Sequence, residues 1–291
     1  MSLIGSSVLW SFSNPLEGVL FLGKQPQQAT NVPLTRSHQA APPECNLFTA
    51  DLASSFNAPG CPGLLPPSKK PTLFILGDSH AEQFYSAAYN YAHSNGWGLR
   101  IAIANSCPFP PTALAGNQCL QQQRKVMSHL STVLKKNDVV LIASSWLPSI
   151  YPRPLPQADL ALRQIEDSLT KAVAEISDRK ARVILYLDGP QFLSLGELPP
   201  QRCVYEWFRT SLPKGCELPV SQYLRVRQPL QSLFARLKGD GVEIWDPLLD
   251  QTCDRHVCTP SGYIDGTHYS LPHARYLFDR FSKRSVIFGA S

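Results

Sequence analysis

From Pro71 onward, apolar runs of four to six residues alternate with longer stretches whose apolar residues recur every three or four positions. The runs are Leu73–Leu76, Leu99–Ala104, Val139–Ala143, Val183–Leu187 and Val242–Trp245. Between them lie helical patterns over Ala81–His93, Leu120–Lys136 and Ala158–Ser177, one ending near Lys238, and a last one after Pro272. Strands that are apolar throughout, separated by helical segments, predict a five-stranded parallel sheet buried on both faces. The third helical segment shows its buried face plainly, with Ala158, Leu162, Ile165, Leu169, Ala172 and Ile176 three or four residues apart. Pro229 predicts that the fourth helix is kinked there or begins there.

The regions outside this pattern have a different composition. Residues 23–71 are rich in Pro, Gln, Ala and Ser, with paired prolines at 42–43 and 66–67, as expected for an extended linker. An insertion at about Gln191–Pro219 separates the fourth strand from the fourth helix, and no internal repeat is visible. The length of 291 residues allows one large domain or two ordinary ones. With 43% apolar and 17% charged residues the chain is too hydrophobic for disorder, and no run approaches the ~18 residues that span a bilayer. The 27 basic and 22 acidic residues are dispersed, so charge gives no indication of nucleic-acid binding.

Eight cysteines fall into four pairs that are neighbours in sequence. Short loops close with the smallest entropy loss, which favours Cys45–Cys61, Cys107–Cys119, Cys203–Cys216 and Cys253–Cys258. Four disulfides would place the chain in an oxidising compartment. Two rivals remain open: a wholly reduced chain, and a zinc site built from Cys253, His256, Cys258 and His273, although no second compact Cys pair completes a tetrahedral set. Met1–Leu22 lacks a basic leader region, and Asn14, Pro15 and Glu17 interrupt its apolar residues. The expectation is therefore a fragment of a longer, membrane-tethered protein.

Two motifs carry chemistry. Leu76-Gly77-Asp78-Ser79-His80-Ala81 lies where the first strand ends and the first helix begins. A serine there sits at the carboxyl end of a parallel strand beside helix N–H groups that favour developing negative charge. Gly77 permits a tight turn and Asp78 can accept backbone N–H bonds. Taken alone, Asp78 or Ser79 could equally be a helix cap. The second motif, Tyr263-Ile-Asp265-Gly-Thr-His268-Tyr-Ser270, precedes the last helix. It supplies the base a serine nucleophile needs and the carboxylate that orients that base. Loops after the first and fifth strands can converge at one edge of such a sheet, so the motifs are read together.

These two motifs resemble the first and fifth blocks of the SGNH (GDSL-like) hydrolase superfamily, over roughly residues 71–285. Asn105-Ser-Cys-Pro-Phe-Pro and the strand ending at Ser145-Trp146 are similar to the extracytoplasmic SGNH domain fused behind membrane-bound polysaccharide O-acyltransferases. The resemblance implies a three-layer α/β/α sandwich, flavodoxin-like, with disulfide-stapled loops. It implies Ser79 as nucleophile, His268 as base, Asp265 as its orienter, and an acyl-enzyme. Two blocks depart from the superfamily pattern. Ser106-Cys107 stands where a glycine is usual, and Ser144-Ser145-Trp146 where Gly-x-Asn-Asp is usual. The expected oxyanion donors are the N–H of Ser79 with Asn105 or Ser106. His80 is expected to line the pocket or to stabilise the helix start, and Trp146 to wall a sugar site or to join the core. Asp188-Gly189-Pro190 is expected to be a turn.

On this resemblance, residues 1–70 are the link from a preceding membrane domain and 71–291 the catalytic domain, on the periplasmic or extracellular face of a bacterial membrane. The expected reaction is O-acyl transfer to a cell-envelope glycan. The acceptor would be a sugar hydroxyl and the upstream partner a membrane acyltransferase domain. The isolated domain is expected to be monomeric and to bind no nucleic acid, cofactor or metal. An esterase or a degenerate glycan-binding module are the alternatives.

Overall fold

The computed structural model describes residues 69–289 except 111, 113–115, 152, 196–199, 205–210, 251–252 and 255. The linker reading of residues 1–68 and the expected Cys45–Cys61 bridge lie outside them. In chain order the main elements are β1 (Thr72–Gly77), α1 (Ser79–Glu82), α2 (Tyr85–Asn95), β2 (Gly98–Ile103), α3 (Asn117–Val133) and β3 (Val139–Ala143). Then come α4 (Leu147–Ile150), α5 (Leu155–Asp178), β4 (Arg182–Tyr186), β5 (Leu218–Pro219) and α6 (Val220–Leu237). The last are β6 (Val242–Trp245), β7 (Val257–Cys258), α7 (Leu271–Arg284) and α8 (Val286–Gly289).

The five long strands form one sheet in the order β2-β1-β3-β4-β6, every pair parallel. Side chains alternate across each strand. Leu73 and Ile75 therefore join Leu99, Ile184 and Trp245 beneath α2, α7 and α8. Phe74 and Leu76 join Val140, Ile142, Val183 and Leu185 beneath α3, α5 and α6. Both faces are covered, which is why these strands carry no polar alternation. The strand order reverses between β1 and β3, so the connections leaving those strands diverge and open a crevice at the carboxyl edge.

Gly77 is required at the end of β1. Its φ is +150°, and a Cβ built on it would lie 1.8 Å from the carbonyl oxygen of Ala143 on β3. Helix α5 buries Ala158, Ile165, Leu169, Ala172 and Ile176 as the spacing predicts, along with Ala161, while Leu162 of the expected face is only half-buried. One boundary differs from expectation. The segment over Ala81–His93 is two helices, because Phe84 turns inward among the rings of Tyr186, Trp245 and Tyr269. Helix α6 passes through Pro229 and does not begin there. The proline deletes the bond to the carbonyl of Arg225, an exposed residue where water can take the donor's place.

Among the described residues three bridges are formed, Cys107–Cys119, Cys203–Cys216 and Cys253–Cys258. The last uses both thiols of the alternative zinc set, and Cys258 lies in β7, which pairs antiparallel with β5.

Candidate active site

Ser79 opens α1 directly after β1, at the reversal of strand order. Asp78 caps this short helix, its Oδ1 accepting the N–H of His80 at 2.9 Å. Its other oxygen accepts the N–H of Ser145 at 2.9 Å. One carboxylate thus fixes the serine turn and ties it to the segment leaving β3. The N–H of Ser79 begins the helix and has no intrahelical acceptor.

The second motif folds on itself. Tyr263 and Tyr269 form an antiparallel bridge, and the N–H of Ile264 donates to the carbonyl of His268 at 2.9 Å. Inside this loop Asp265 Oδ1 accepts the N–H groups of Thr267 and His268, each at 2.7 Å. Short-range bonds of this kind are what an Asx turn supplies. The loop is anchored to the serine side by Gln83, whose Oε1 accepts the N–H of Tyr269 at 2.9 Å.

The two motifs meet. His268 Nε2 lies 2.8 Å from Ser79 Oγ, and its Nδ1 lies 2.8 Å from Asp265 Oδ2. Burial alone would raise the pKa of Asp265, but the hydrogen bonds from the His268 ring and from the backbone of His268 and Thr267 hold it well below the usual carboxylate range. An ionised Asp265 requires the proton of a neutral His268 on Nδ1, which leaves Nε2 to accept from the serine hydroxyl. Ser79 is half-buried and Asp265 exposed. Chemically this arrangement can deprotonate a serine as it attacks a carbonyl carbon.

Behind the triad lies a cluster that spacing did not bring together. The buried ring of His80 packs on His268 with centroids 4.8 Å apart, and its Nδ1 is 3.6 Å from Asp78 Oδ1. Burial would lower the pKa of His80, but Asp78, with Asp188 and Asp265, raises it above the ordinary value. Asp188 is fully buried, and burial pushes its pKa up to about 7 against the pull of His80 and the N–H groups of Leu147 and Trp146. Its Oδ2 accepts both of those N–H groups, at 2.8 Å from Trp146 and 2.6 Å from Leu147. The Tyr223 hydroxyl in turn donates to the Asp188 carbonyl, and Arg227 donates to that hydroxyl and to Asp246. Asp188 is thus more than a turn residue: it holds the start of α4 from across the sheet.

The remaining expected site residues divide. Asn105 and Ser106 are exposed at the end of β2. Ser106 has φ of 58°, so the left-handed backbone that glycine favours occurs at the position where superfamily members carry glycine. Trp146 is corrected: it is 1% exposed and belongs to the core against α5 and α6, so it offers no ring to a sugar. Phe109 is likewise 0% exposed. Its N–H donates to Ser144 Oγ at 3.0 Å, which closes the connection after β2 onto the end of β3. The signals for Asp188 and Gln83 in the sequence were a carboxylate ending a strand at the carboxyl edge and an amide one turn beyond the serine.

A parallel α/β/α sandwich with a serine, histidine and aspartate in hydrogen-bonded series at its carboxyl edge has the geometry that acyl-handling serine enzymes use. The model of the SGNH domain fused to AT3 domains matches residues 44–283, and the chain belongs to that family. No curated protein matches it. Among solved structures it is similar to the periplasmic domain of the lipopolysaccharide acetyltransferase of Salmonella ser. Paratyphi A. That match has TM-score 0.51 and 16% identity, over 76% of this chain and 85% of that one. It is also similar to a GDSL-like lipase from Bacteroides thetaiotaomicron, with TM-score 0.43 and 14% identity, over 78% of this chain and 92% of that one.

Proposed function

We propose that this chain is an O-acyltransferase domain that moves a short acyl group, acetyl being the simplest, onto a hydroxyl of a cell-envelope glycan. The observation that carries the reading is the continuous series Ser79 Oγ, His268 Nε2, His268 Nδ1, Asp265 Oδ2, with both hydrogen-bond distances at 2.8 Å. In the first step Ser79 Oγ bonds to the acyl carbon while its proton passes to His268 Nε2 and then to the departing donor group. In the second step an acceptor hydroxyl gives its proton to His268 and attacks the acyl carbon. The ester product leaves, and the proton returns to Ser79 Oγ. Asp265 stabilises the imidazolium in both steps. The oxyanion is assigned to the N–H of Ser79 and the backbone at Ser106.

In this reading residues 1–70 link the catalytic domain, 71–291, to a membrane acyltransferase domain that delivers the acyl group. The family's fusion to AT3 domains supports such a partner. The three disulfides support an extracytoplasmic home, periplasmic or on the outer face of a bacterial membrane.

Water at ~55 M outcompetes a sugar unless the protein binds and aligns the acceptor. The test incubates the protein with p-nitrophenyl acetate, alone and with a panel of envelope oligosaccharides. Slow hydrolysis alone and an O-acetylated oligosaccharide in the mixture is the expected result. Rapid deacetylation of acetylated glycans with no transfer would replace this reading by an esterase. Glycan binding with neither activity would replace it by a binding module.

A further inference from the structure

Between α4, the segment after β4 and α6 lies a pocket of about 290 Å³. One wall is the stretch 190–194. The outer side of this stretch carries Gln191 and Leu193 into the pocket. Its inner side is sealed against the histidine loop: the N–H of Phe192 donates to the carbonyl of Gly266 at 2.7 Å, and the Tyr263 hydroxyl donates to the carbonyl of Pro190 at 2.7 Å. Gly266 lies between Asp265 and His268, and a Cβ there would come within 2.7 Å of the Phe192 carbonyl oxygen. The same wall reaches the serine side. Gln191 Nε2 donates to Ser145 Oγ at 3.1 Å, and the N–H of Ser145 donates to Asp78, the neighbour of Ser79. One wall of the pocket is therefore hydrogen-bonded to the loops that carry both halves of the triad.

Its lining has a definite chemistry. Tyr151 and Leu193 are 44% and 49% exposed, unusually open for large apolar side chains, and Leu147 and Tyr223 extend that surface. Gln191 and Gln222 supply amides. Gln191 Oε1 has no hydrogen-bond partner among the described residues. Among those residues no Asp, Glu, Lys, Arg or His lines the pocket. A charged ligand would be desolvated here without a counter-charge. A long acyl chain would leave the buried Gln191 Oε1 facing hydrocarbon. An acetyl group occupies only a small part of the space. A neutral sugar ring suits this lining, since its C–H face packs on an aromatic ring and its hydroxyls pair with amides.

Building on the acyl-transfer reading, we propose that this pocket is the acceptor subsite and that it takes a neutral sugar residue, with Tyr151 and Leu193 against the ring and Gln191 and Gln222 on its hydroxyls. The test uses the full chain with neutral gluco- and galacto-oligosaccharides, a glucuronate-containing disaccharide and p-nitrophenyl esters. Binding is followed by saturation-transfer NMR and transfer by product mass. Tyr151→Ala is expected to weaken neutral-sugar binding and raise the acceptor KM about tenfold, the scale of one lost stacking contact. It should leave p-nitrophenyl acetate hydrolysis within about twofold, since the triad is untouched. Leu193→Asp should act in the same direction. The proposal is overturned if neutral sugars neither bind nor accept, if the glucuronate disaccharide binds best, if Tyr151→Ala leaves binding and acceptor KM unchanged, or if it slows p-nitrophenyl octanoate selectively. Failure of the triad reading would look different, as acetate hydrolysis that survives Ser79→Ala.

Discussion

At the carboxyl edge of the sheet, two groups of loops are held in different ways. The serine turn and the histidine loop each fold through bonds between residues two or three apart, Asp78 to His80 and Asp265 to Thr267 and His268. The loops after β2, β3 and β4 are held by side chains that cross the sheet: Asp78 to Ser145, Asp188 to Trp146 and Leu147, Ser144 to Phe109. The first group carries the reacting atoms in self-contained motifs. The second shapes what approaches them, and its shape depends on buried carboxylates far away in sequence. Chemistry is thus encoded locally, and selectivity through tertiary contacts.

The largest expected effect breaks the local side. Ser79→Ala and His268→Ala should each lower p-nitrophenyl acetate turnover by ~10³-fold or more, with an unchanged melting temperature, because neither residue is deeply buried. Loss of folding in both variants would mean that these motifs are structural.

Next is the strand crossing that both sides share. Gly77→Ala should destabilise the fold by ~4 kcal/mol, in the range of severe backbone clashes, since its Cβ would meet Ala143 at 1.8 Å. Urea denaturation checks this. A midpoint within error of the parent would show that the serine turn is not constrained by β3.

On the cross-sheet side, Asp188→Ala leaves two buried N–H groups without acceptors and should cost ~3 kcal/mol. A variant as stable as the parent would reduce Asp188 to a turn residue and remove one half of the contrast. Opening the Cys253–Cys258 bridge by double serine substitution should cost only ~2 kcal/mol in the chain-entropy model, since its separation is 5 residues. A loss larger than that of Asp188→Ala would shift the restraint from carboxylates to disulfides.

This division also explains what could be read from sequence. Five strands, α5 and its buried face, three of the bridges and the residues of both motifs follow from apolar runs and short spacings, which are local properties. The insertion of Phe84 that splits the first helix and the pairing of β5 with β7 both depend on packing partners distant in sequence. Trp146 shows the same limit. An aromatic residue ending a strand can face a pocket or the core, and only the placement of α5 and α6 over it decides. Asp188 was visible as a residue, but its two acceptor bonds connect positions 41 and 42 residues apart.

The pH dependence distinguishes the two sides by sign. Asp265 has a depressed pKa, so the unfolded chain binds its proton more readily. Its stabilisation is present above the unfolded value of ~4 and is lost as pH falls through the lower folded value. Asp188, raised to about 7, holds its proton more tightly when folded. Its contribution is present below pH ~4 and is lost as pH rises from ~4 to ~7. Asp188→Asn should therefore flatten the decline in stability across that window, whereas Asp265→Asn should change only the acid limb. Equal pH profiles for both variants would contradict the assigned environments.

The central claim is that Ser79 is a nucleophile activated by His268, and covalent labelling tests it most directly. The protein is treated with a fluorophosphonate, which phosphonylates activated serines with loss of fluoride, and is then digested for mass mapping. The account predicts one phosphonate per chain, on the peptide containing Ser79, absent from Ser79→Ala and strongly slowed in His268→Ala. Labelling at another serine, or equal labelling of Ser79 when His268 is replaced, would contradict it.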